Sequence, residues 1–250
     1  MTLDLEIFWP FPPVDWRLGP REVHIWATAL DQPSARVSAF SDTLSPDEHI
    51  RAGRFHFDRD RNRFIVGRGW LRALLGQYLG CAPAQLRFDY GNRGKPAISS
   101  PVGPESLHFN LAHSDGLVIL AVTRLCSVGA DVEQVRRIDD AEAIAERFFS
   151  AQESAGLKAL PACRQSMAFF NLWTRKEAWL KATGKGIADS LDRVEVSFLP
   201  DQPARFLRLF GNPNTAQEWS LLELAPALGF IGALALPALD AQIRCWRWPH

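Results

Sequence analysis

The chain has 250 residues, and its 28 basic side chains balance 28 acidic ones, so no long-range field favours nucleic acid or an anionic membrane as a partner. Its four cysteines form no close pair along the chain, which argues against a disulfide framework or a zinc site. Because no secretory leader opens the sequence and no window has the apolar length of a membrane span, we expect a cytoplasmic protein.

The first 125 residues predict an irregular arm, a strand, two helices, a glycine-rich loop and a pair of strands. Proline and aromatic residues mark the arm, and alternation marks the strands. Ser45 as a cap, followed by Pro46, opens the first helix. The segments cover residues 1–20, 21–30, 44–55, 59–80, 90–98, 107–114 and 116–122.

The second part of the chain repeats this order of strand, helices and strands. Residues 128–135 predict a strand, and Ser150 followed by Glu153 forms a capping box that opens a helix. A further helix over 169–186 ends at glycines, and strand-like runs fill the last 55 residues. We therefore predict an α+β fold of two similar halves, residues 1–125 and 126–250.

Two acidic residues alternate with apolar ones in the strand VGADVEQV. Period-two alternation places Val128, Ala130 and Val132 on one face, and Asp131 and Glu133 on the other, about 7 Å apart. Such a polar face is either the solvated side of an antiparallel strand or a ligand site.

A third carboxylate interrupts the aromatic stripe of the helix FFNLWTRKEAWLKATGKG. Glu177 falls within the arc of Phe170, Trp173 and Leu180, where a helix that only packs on a core would carry an apolar residue. It is either an edge glutamate that reaches water or pairs with Lys181, or a functional acid.

Three carboxylates without histidine or cysteine are the ligand set of a hard cation, in particular Mg²⁺, which also binds substrate phosphates. Phosphates need basic side chains nearby. The candidates are Arg51, Arg63, Lys95 and His113. Each of the three basic residues taken alone could be an ordinary surface charge, and the histidine could be a core residue that is hydrogen-bonded to the backbone.

Five motifs taken together resemble those of the 4′-phosphopantetheinyl transferases, in the larger, Sfp-like class. The resemblance implies two similar α+β halves packed as an internal pseudo-dimer, with coenzyme A in the cleft between them. It covers residues 45–198 in the order of the family. The motifs are GKP (94–96), FNLAHS (109–114), GADVE (129–133), RFFS (147–150) and WTRKEAWLKATGKG (173–186).

The reaction implied by the resemblance is transfer of the 4′-phosphopantetheine arm of coenzyme A to a serine of an apo acyl, peptidyl or aryl carrier protein. Such carriers serve fatty-acid, polyketide and peptide synthesis, and the reaction leaves adenosine 3′,5′-bisphosphate. Asp131, Glu133 and Glu177 match the family's Mg²⁺-binding acids. Glu177 also matches the general base, and Lys181 the lysine beside the reacting phosphates.

The basic candidates match positions that bind coenzyme A. Lys95 and His113 correspond to contacts with its phosphates, and Arg51 and Arg63 to basic residues around the 3′-phosphate. The segment 134–149, basic and apolar, is a predicted docking surface for the carrier. An internal pseudo-dimer also implies a monomer.

Two other functions fit the same acids. One is a Mg²⁺-dependent pyrophosphatase acting on coenzyme A or a nucleotide, which needs no carrier protein. The other is a non-catalytic scaffold that binds coenzyme A, but such a protein would be expected to lack one of the three acids.

Overall fold

The structure is a computed structural model and describes residues 6–91, 94–99, 107–186 and 191–249. These ranges contain seven α-helices, eleven strands and two short 3₁₀ helices, Pro83–Gln85 and Leu191–Arg193. The helices are α1 Ser34–Ser41, α2 Pro46–Ala52, α3 Asp58–Leu79, α4 Ala141–Phe148, α5 Ala151–Lys158, α6 Ala162–Thr183 and α7 Pro213–Gln217. The strands are β1 Glu22–Ala29, β2 Phe88–Tyr90, β3 Pro96–Ile98, β4 His108–Ser114, β5 Leu117–Thr123, β6 Gly129–Gln134, β7 Val194–Val196, β8 Phe206–Leu209, β9 Ser220–Leu224, β10 Phe230–Leu236 and β11 Gln242–Arg247.

Two sheets form the centre of the molecule. The first has the strand order β11-β1-β5-β4, and the second has the order β6-β10-β9. In the first sheet β1 pairs antiparallel with β5 and parallel with β11. The end of the chain therefore returns to the first sheet. The division into residues 1–125 and 126–250 stays a prediction, and β11 belongs to the second range while it pairs in the sheet of the first.

The layers run helix, sheet, sheet, helix. On one outside, α3 packs on the first sheet, with Trp70 in the same core as Leu120 of β5. On the other, α6 packs on the second sheet, with Leu180 in the same core as Ala233 of β10. Between the two sheets, apolar residues of β1 and β5 form a third core with those of β6 and β10. Strands β1 and β5 are thus covered on both faces, and the acids of β6 are brought to the α6 side.

The predicted α+β class is confirmed, and most predicted elements are present. The helices predicted at 44–55 and 59–80 are α2 and α3. The predicted capping box is present, since the Ser150 amide donates to Glu153 Oε2 at 2.9 Å and the Glu153 amide donates to Ser150 Oγ at 3.3 Å. Helix α6 begins earlier than predicted and ends at Gly184, whose φ of 72° is left-handed.

Several short elements were not predicted from the sequence. They are α1, α4, α7, β2 and β11, together with β3, which occupies part of the predicted loop at 90–98. Residues 92 and 93 of that loop, and residues 1–5 of the arm, lie outside the described residues. The described arm is irregular, and Ile7 of the arm forms an antiparallel bridge with Ala227. None of the helices described has the length and apolar character that a membrane span needs.

Candidate active site

Strand β6 lies unusually close to the last turns of α6. A Cβ atom on Gly129 would stand 2.0 Å from the carbonyl oxygen of Ala178 and 2.3 Å from the amide nitrogen of Ala182, so only glycine permits this approach. Asp131 follows two residues later on the same face, and only 5% of it is exposed. The alternative of a solvated outer face is therefore wrong for Asp131.

Asp131 pairs with the base on the neighbouring helix. Nζ of Lys181 donates to Oδ1 of Asp131 at 2.5 Å, so Lys181 is bonded to Asp131 and not to Glu177. Burial raises the pKa of Asp131 to about 7, although the Lys181 charge acts in the opposite direction. The negative charges of Glu177 and Glu133 raise the pKa further, which shows that the three acids are close enough to interact.

Two carboxylate oxygens of this cluster are buried without a hydrogen-bond donor from any described residue. They are Oδ2 of Asp131 and Oε1 of Glu177. Burial and the charge of Glu133 also raise the pKa of Glu177, while the Lys181 charge lowers it. Buried acceptors are normally satisfied, so each unpaired oxygen requires an explanation such as a bound ion.

Glu133 completes the acidic cluster at its edge. Its Oε2 accepts a hydrogen bond from Ser114 Oγ at 2.6 Å and lies 3.6 Å from Nη1 of Arg136. Within the described ranges, no three His, Cys, Asp or Glu side chains already stand in the arrangement of a metal centre. The all-oxygen donor set and the two unpaired buried oxygens fit a hard cation such as Mg²⁺.

His113 lies close enough to Glu133 and Lys181 for their charges to act on it. Partial desolvation of the imidazole by the surrounding protein lowers the pKa of His113, and the positive charges of Lys181 and Arg63 lower this pKa further. Glu133 acts in the opposite direction. Because the residue is exposed at its surface, the alternative of a satisfied core histidine is wrong.

Arg63 reaches the same region but is already paired. Its guanidinium makes two hydrogen bonds of 2.7 Å to the carboxylate of Asp31 and one of 3.0 Å to Asp115. These acids raise the pKa of Arg63 above its ordinary value. An anion that used this guanidinium would have to share it with two carboxylates.

The other two basic candidates lie in different settings. Lys95 donates through Nζ to the backbone carbonyl oxygen of Lys181, and Val128 O lies 3.4 Å away, so Lys95 holds the backbone of the cluster. Burial lowers its pKa. Arg51 is exposed on α2, stacks on Phe64 at 5.4 Å and forms no ion pair with a described residue. The structure therefore places Lys95 against the backbone carbonyl groups of Lys181 and Val128, and leaves Arg51 apart from the acids.

Comparison with known proteins gives two family matches that together cover most of the chain. Residues 31–125 match "4′-phosphopantetheinyl transferase, N-terminal", and residues 127–233 match "4′-phosphopantetheinyl transferase superfamily". The transferase HetI of Nostoc sp. (strain PCC 7120) is 41% identical over 98% of this chain and its own full length. The chain belongs to the 4′-phosphopantetheinyl transferase family.

Two other transferases of this family are similar over most of the chain. Psf-1 of Bacillus pumilus is 37% identical over 77% of this chain and 81% of its own. Sfp of Bacillus subtilis (strain 168) is 31% identical over 71% and 77%. The predicted Sfp-like class is confirmed, and the protein is a transferase of a family that acts on coenzyme A.

The transferase motif WTRKEAWLK contains residues with structural tasks as well as site residues. Lys176 is fully buried and donates to Glu153 Oε2 at 2.6 Å, which ties α6 to α5. Arg175 donates to the backbone oxygen of Ser197 at 2.6 Å. These neighbours fix the rotation of α6, so that Glu177 faces the acids of β6.

Sequence reasoning missed two polar residues of β4 that contact β6 in this transferase. The amide of Ala130 donates to Asn110 Oδ1 at 2.8 Å, and the amide of Gln134 donates to Ser114 Oγ at 3.1 Å. The alternation in FNLAHS places both polar residues opposite Phe109 and Leu111, on the face that a sequence pattern assigns to solvent, so only the packing of the two sheets shows that they are buried.

Proposed function

We propose that the protein transfers the 4′-phosphopantetheine arm of coenzyme A to a serine of an apo acyl, peptidyl or aryl carrier protein in a Mg²⁺-dependent reaction. The serine oxygen attacks the phosphorus that carries the pantetheine arm, and the bond from this phosphorus to the oxygen of the adenosine 5′-phosphate breaks. The products are the holo carrier and adenosine 3′,5′-bisphosphate. The names of the relatives HetI, psf-1 and Sfp support this proposal.

The observation that carries the proposal is the pair of buried, unpaired carboxylate oxygens on Asp131 and Glu177 beside the Lys181 ammonium. With Glu133, these acids would hold the metal ion. A bound Mg²⁺ would supply positive charge against the negative charge that develops on the pyrophosphate. Carboxylates alone would repel coenzyme A, so a cation at this position reconciles the acids with an anionic substrate.

Glu177 and Lys181 are the proposed catalytic residues. Oε1 of Glu177 is buried without a donor among the described residues, so this carboxylate could accept the serine proton, directly or through a water. The Lys181 ammonium, about 29% exposed, can stabilise the departing phosphate. In the absence of substrate, the hydrogen bond to Asp131 keeps this ammonium beside the acids.

We propose that the basic residues bind the nucleotide end of coenzyme A. His113 lies beside Glu133 and Lys181, which suits a contact with the pyrophosphate region. Lys95 is the second proposed phosphate contact, and it would exchange its bond to the Lys181 carbonyl oxygen for one to a phosphate. Arg51 and Arg63 are the proposed partners of the 3′-phosphate. Arg51 is exposed, so its guanidinium donors are open to such a group.

The proposed setting is a monomer in the cytoplasm. Two sheets already face each other across an apolar core within one chain, so no second copy is needed to form the cleft. All four cysteines lie within the described residues and are free, which suits a reducing compartment.

The test is to incubate the protein with coenzyme A, Mg²⁺ and a panel of apo carriers from fatty-acid, polyketide and peptide synthesis, and then to weigh the carriers. The proposal expects at least one carrier to gain the mass of one phosphopantetheine group, only in the presence of metal. Hydrolysis of coenzyme A without a carrier product would indicate a pyrophosphatase. Binding of coenzyme A without either reaction would indicate a scaffold.

A further inference from the structure

Strands β4 and β6 belong to different sheets, and two side chains join them where a backbone ladder would otherwise run. Asn110 Oδ1 accepts from the amide of Ala130 at 2.8 Å, and Ser114 Oγ accepts from the amide of Gln134 at 3.1 Å. The two acceptors are four residues apart on β4 and the two donors four apart on β6, a spacing of about 13 Å in both strands. Asp131 and Glu133 lie between these fixed points.

The hydrogen bonding of Ser114 has only one possible direction. A backbone amide can only donate, so the hydroxyl oxygen accepts from Gln134 and its single proton remains for Oε2 of Glu133 at 2.6 Å. Ser114 is only 8% exposed, so water competes little for either bond. One hydroxyl therefore fixes both the backbone of β6 and the carboxylate that it carries.

This bond selects which oxygen of Glu133 is available to a ligand. Among the described residues, Glu133 has polar contacts with Ser114 and with Nη1 of Arg136 at 3.6 Å, and both involve Oε2. The opposite oxygen, Oε1, is left for a cation. Without the serine hydroxyl, the carboxylate would be held only by its 3.6 Å ion pair with the exposed Arg136 and would be free to rotate.

We propose that Asn110 and Ser114 of the first half are positioning residues that set Asp131 and Glu133 of the second half for metal-dependent binding of coenzyme A. Their hydrogen bonds connect the two sheets and fix the backbone of β6, and the position of this backbone sets where the two carboxylates stand. The inference rests on the proposed function, because it takes these acids to be the metal ligands. Outer partners of this kind hold a ligand in the orientation that the metal requires.

The experiment measures the binding of coenzyme A by titration calorimetry over a series of Mg²⁺ concentrations, without carrier protein, so that no turnover occurs. Ser114→Ala removes the hydroxyl, and Ser114→Thr keeps it. Ser154→Ala is the matched control. Ser154 is 7% exposed and its hydroxyl donates to the backbone oxygen of Ala145 at 2.9 Å, away from the acids.

Mg²⁺ should increase the affinity of the protein for coenzyme A. For Ser114→Ala we expect the Mg²⁺ concentration that gives half of this increase to rise about 10- to 100-fold, as for other outer partners of metal ligands. The affinity for coenzyme A without metal should stay at the wild-type value, which also verifies that the variant is folded. Ser114→Thr and Ser154→Ala should titrate as the wild type does. For Asn110, the change to Ala should raise the Mg²⁺ requirement more than the change to Asp, which keeps an acceptor oxygen.

The results distinguish the positioning role of Asn110 and Ser114 from the assignment of the metal ligands. If Mg²⁺ tightens binding equally in the wild type and in Ser114→Ala, the inference is wrong and the metal assignment stands. The inference is also wrong if Ser154→Ala loses as much as Ser114→Ala, or if Ser114→Thr recovers nothing. A wild type whose affinity for coenzyme A does not respond to Mg²⁺ would overturn the metal assignment and the inference together.

Discussion

Nζ of Lys181 lies 2.5 Å from Oδ1 of Asp131, so a helix and a strand that are 50 residues apart in the chain meet at a nearly buried ion pair. The pair uses only one oxygen of the carboxylate. The other oxygen, Oδ2, is buried without a donor among the described residues. Asp131 therefore has room for two positive partners, the ammonium on one side and a metal ion on the other.

The first prediction concerns the charge of Asp131. Asp131→Asn keeps the size of the side chain and removes the anion, so kcat/KM for carrier modification should fall at least about 100-fold while the fold is retained. Product mass after timed reactions measures the rate, and circular dichroism checks the fold. Glu195→Gln, an acid on β7 that pairs with Arg208 at 3.5 Å, is the control and should keep wild-type activity. Wild-type turnover in the presence of EDTA would contradict the metal role.

The second prediction concerns the 3′-phosphate of coenzyme A. Arg51→Ala should weaken the binding of coenzyme A by about 1.5- to 5-fold, the range for a contact between solvent-exposed charged groups, with kcat little changed. The decisive quantity is the preference for coenzyme A over its 3′-dephospho form, which should decrease. Arg54→Ala removes an exposed charge from the same region and should leave that preference intact. Unchanged discrimination in Arg51→Ala would show that this arginine does not bind the 3′-phosphate.

The third prediction concerns the carrier, through the segment 134–149. Arg137 is 91% exposed, whereas Arg136 lies 3.6 Å from Glu133 and stacks on Phe170. Arg137→Glu should therefore raise the KM for an acidic carrier and leave the KM for coenzyme A unchanged, while Arg136→Glu should affect both substrates. Arg164→Glu, on α6, is the control for charge reversal. If Arg137→Glu and Arg164→Glu affect the carrier equally, the docking surface lies elsewhere.

The parts of the site that were predicted from the sequence rest on local signals. Alternation identified Asp131 and Glu133, and helical spacing identified Glu177, because each pattern needs only the residues of one element. Strand β11 escaped prediction because its partner β1 lies at the other end of the chain, and no local pattern reveals a parallel pairing over that distance.

Arg63 shows the same limit at the level of one side chain. Its two carboxylate partners, Asp31 and Asp115, lie 32 and 52 residues away in the chain. The sequence indicated a basic residue open to phosphate, but only the packing of α3 against the ends of two strands brings these acids to it. The bonds of Asn110 and Ser114 to β6 likewise depend on how the two sheets meet.

The last prediction concerns pH and stability at a site remote from the acids. His24 is fully buried on β1, with Nδ1 2.7 Å from the hydroxyl of Tyr78. Trp26 Nε1 donates to the same hydroxyl at 2.7 Å. Nε2 lies 3.2 Å from Oε2 of Glu22, and because a carboxylate can only accept, Nε2 carries the proton of the neutral ring and Nδ1 accepts from Tyr78. Burial lowers the pKa of His24, although Glu22 near Nε2 opposes this effect.

The sign follows from proton binding. Below about pH 6.5 the unfolded chain protonates this histidine while the folded protein does not, so the free energy of unfolding should decrease as the pH falls, by up to about 1.4 kcal/mol per pH unit. The stability that His24 contributes is complete above that pH. Asp131, with its pKa raised to about 7, acts in the opposite direction, so the pH dependence of the wild-type free energy of unfolding does not by itself reveal the effect of His24.

Denaturant unfolding of the wild type and of His24→Gln between pH 5 and 8 isolates the contribution of His24. The variant should be less stable at pH 8 and should lose less stability on acidification, whereas His56→Gln, at an exposed position, should follow the wild type. Parallel curves for wild type and His24→Gln would mean that His24 takes up its proton without unfolding.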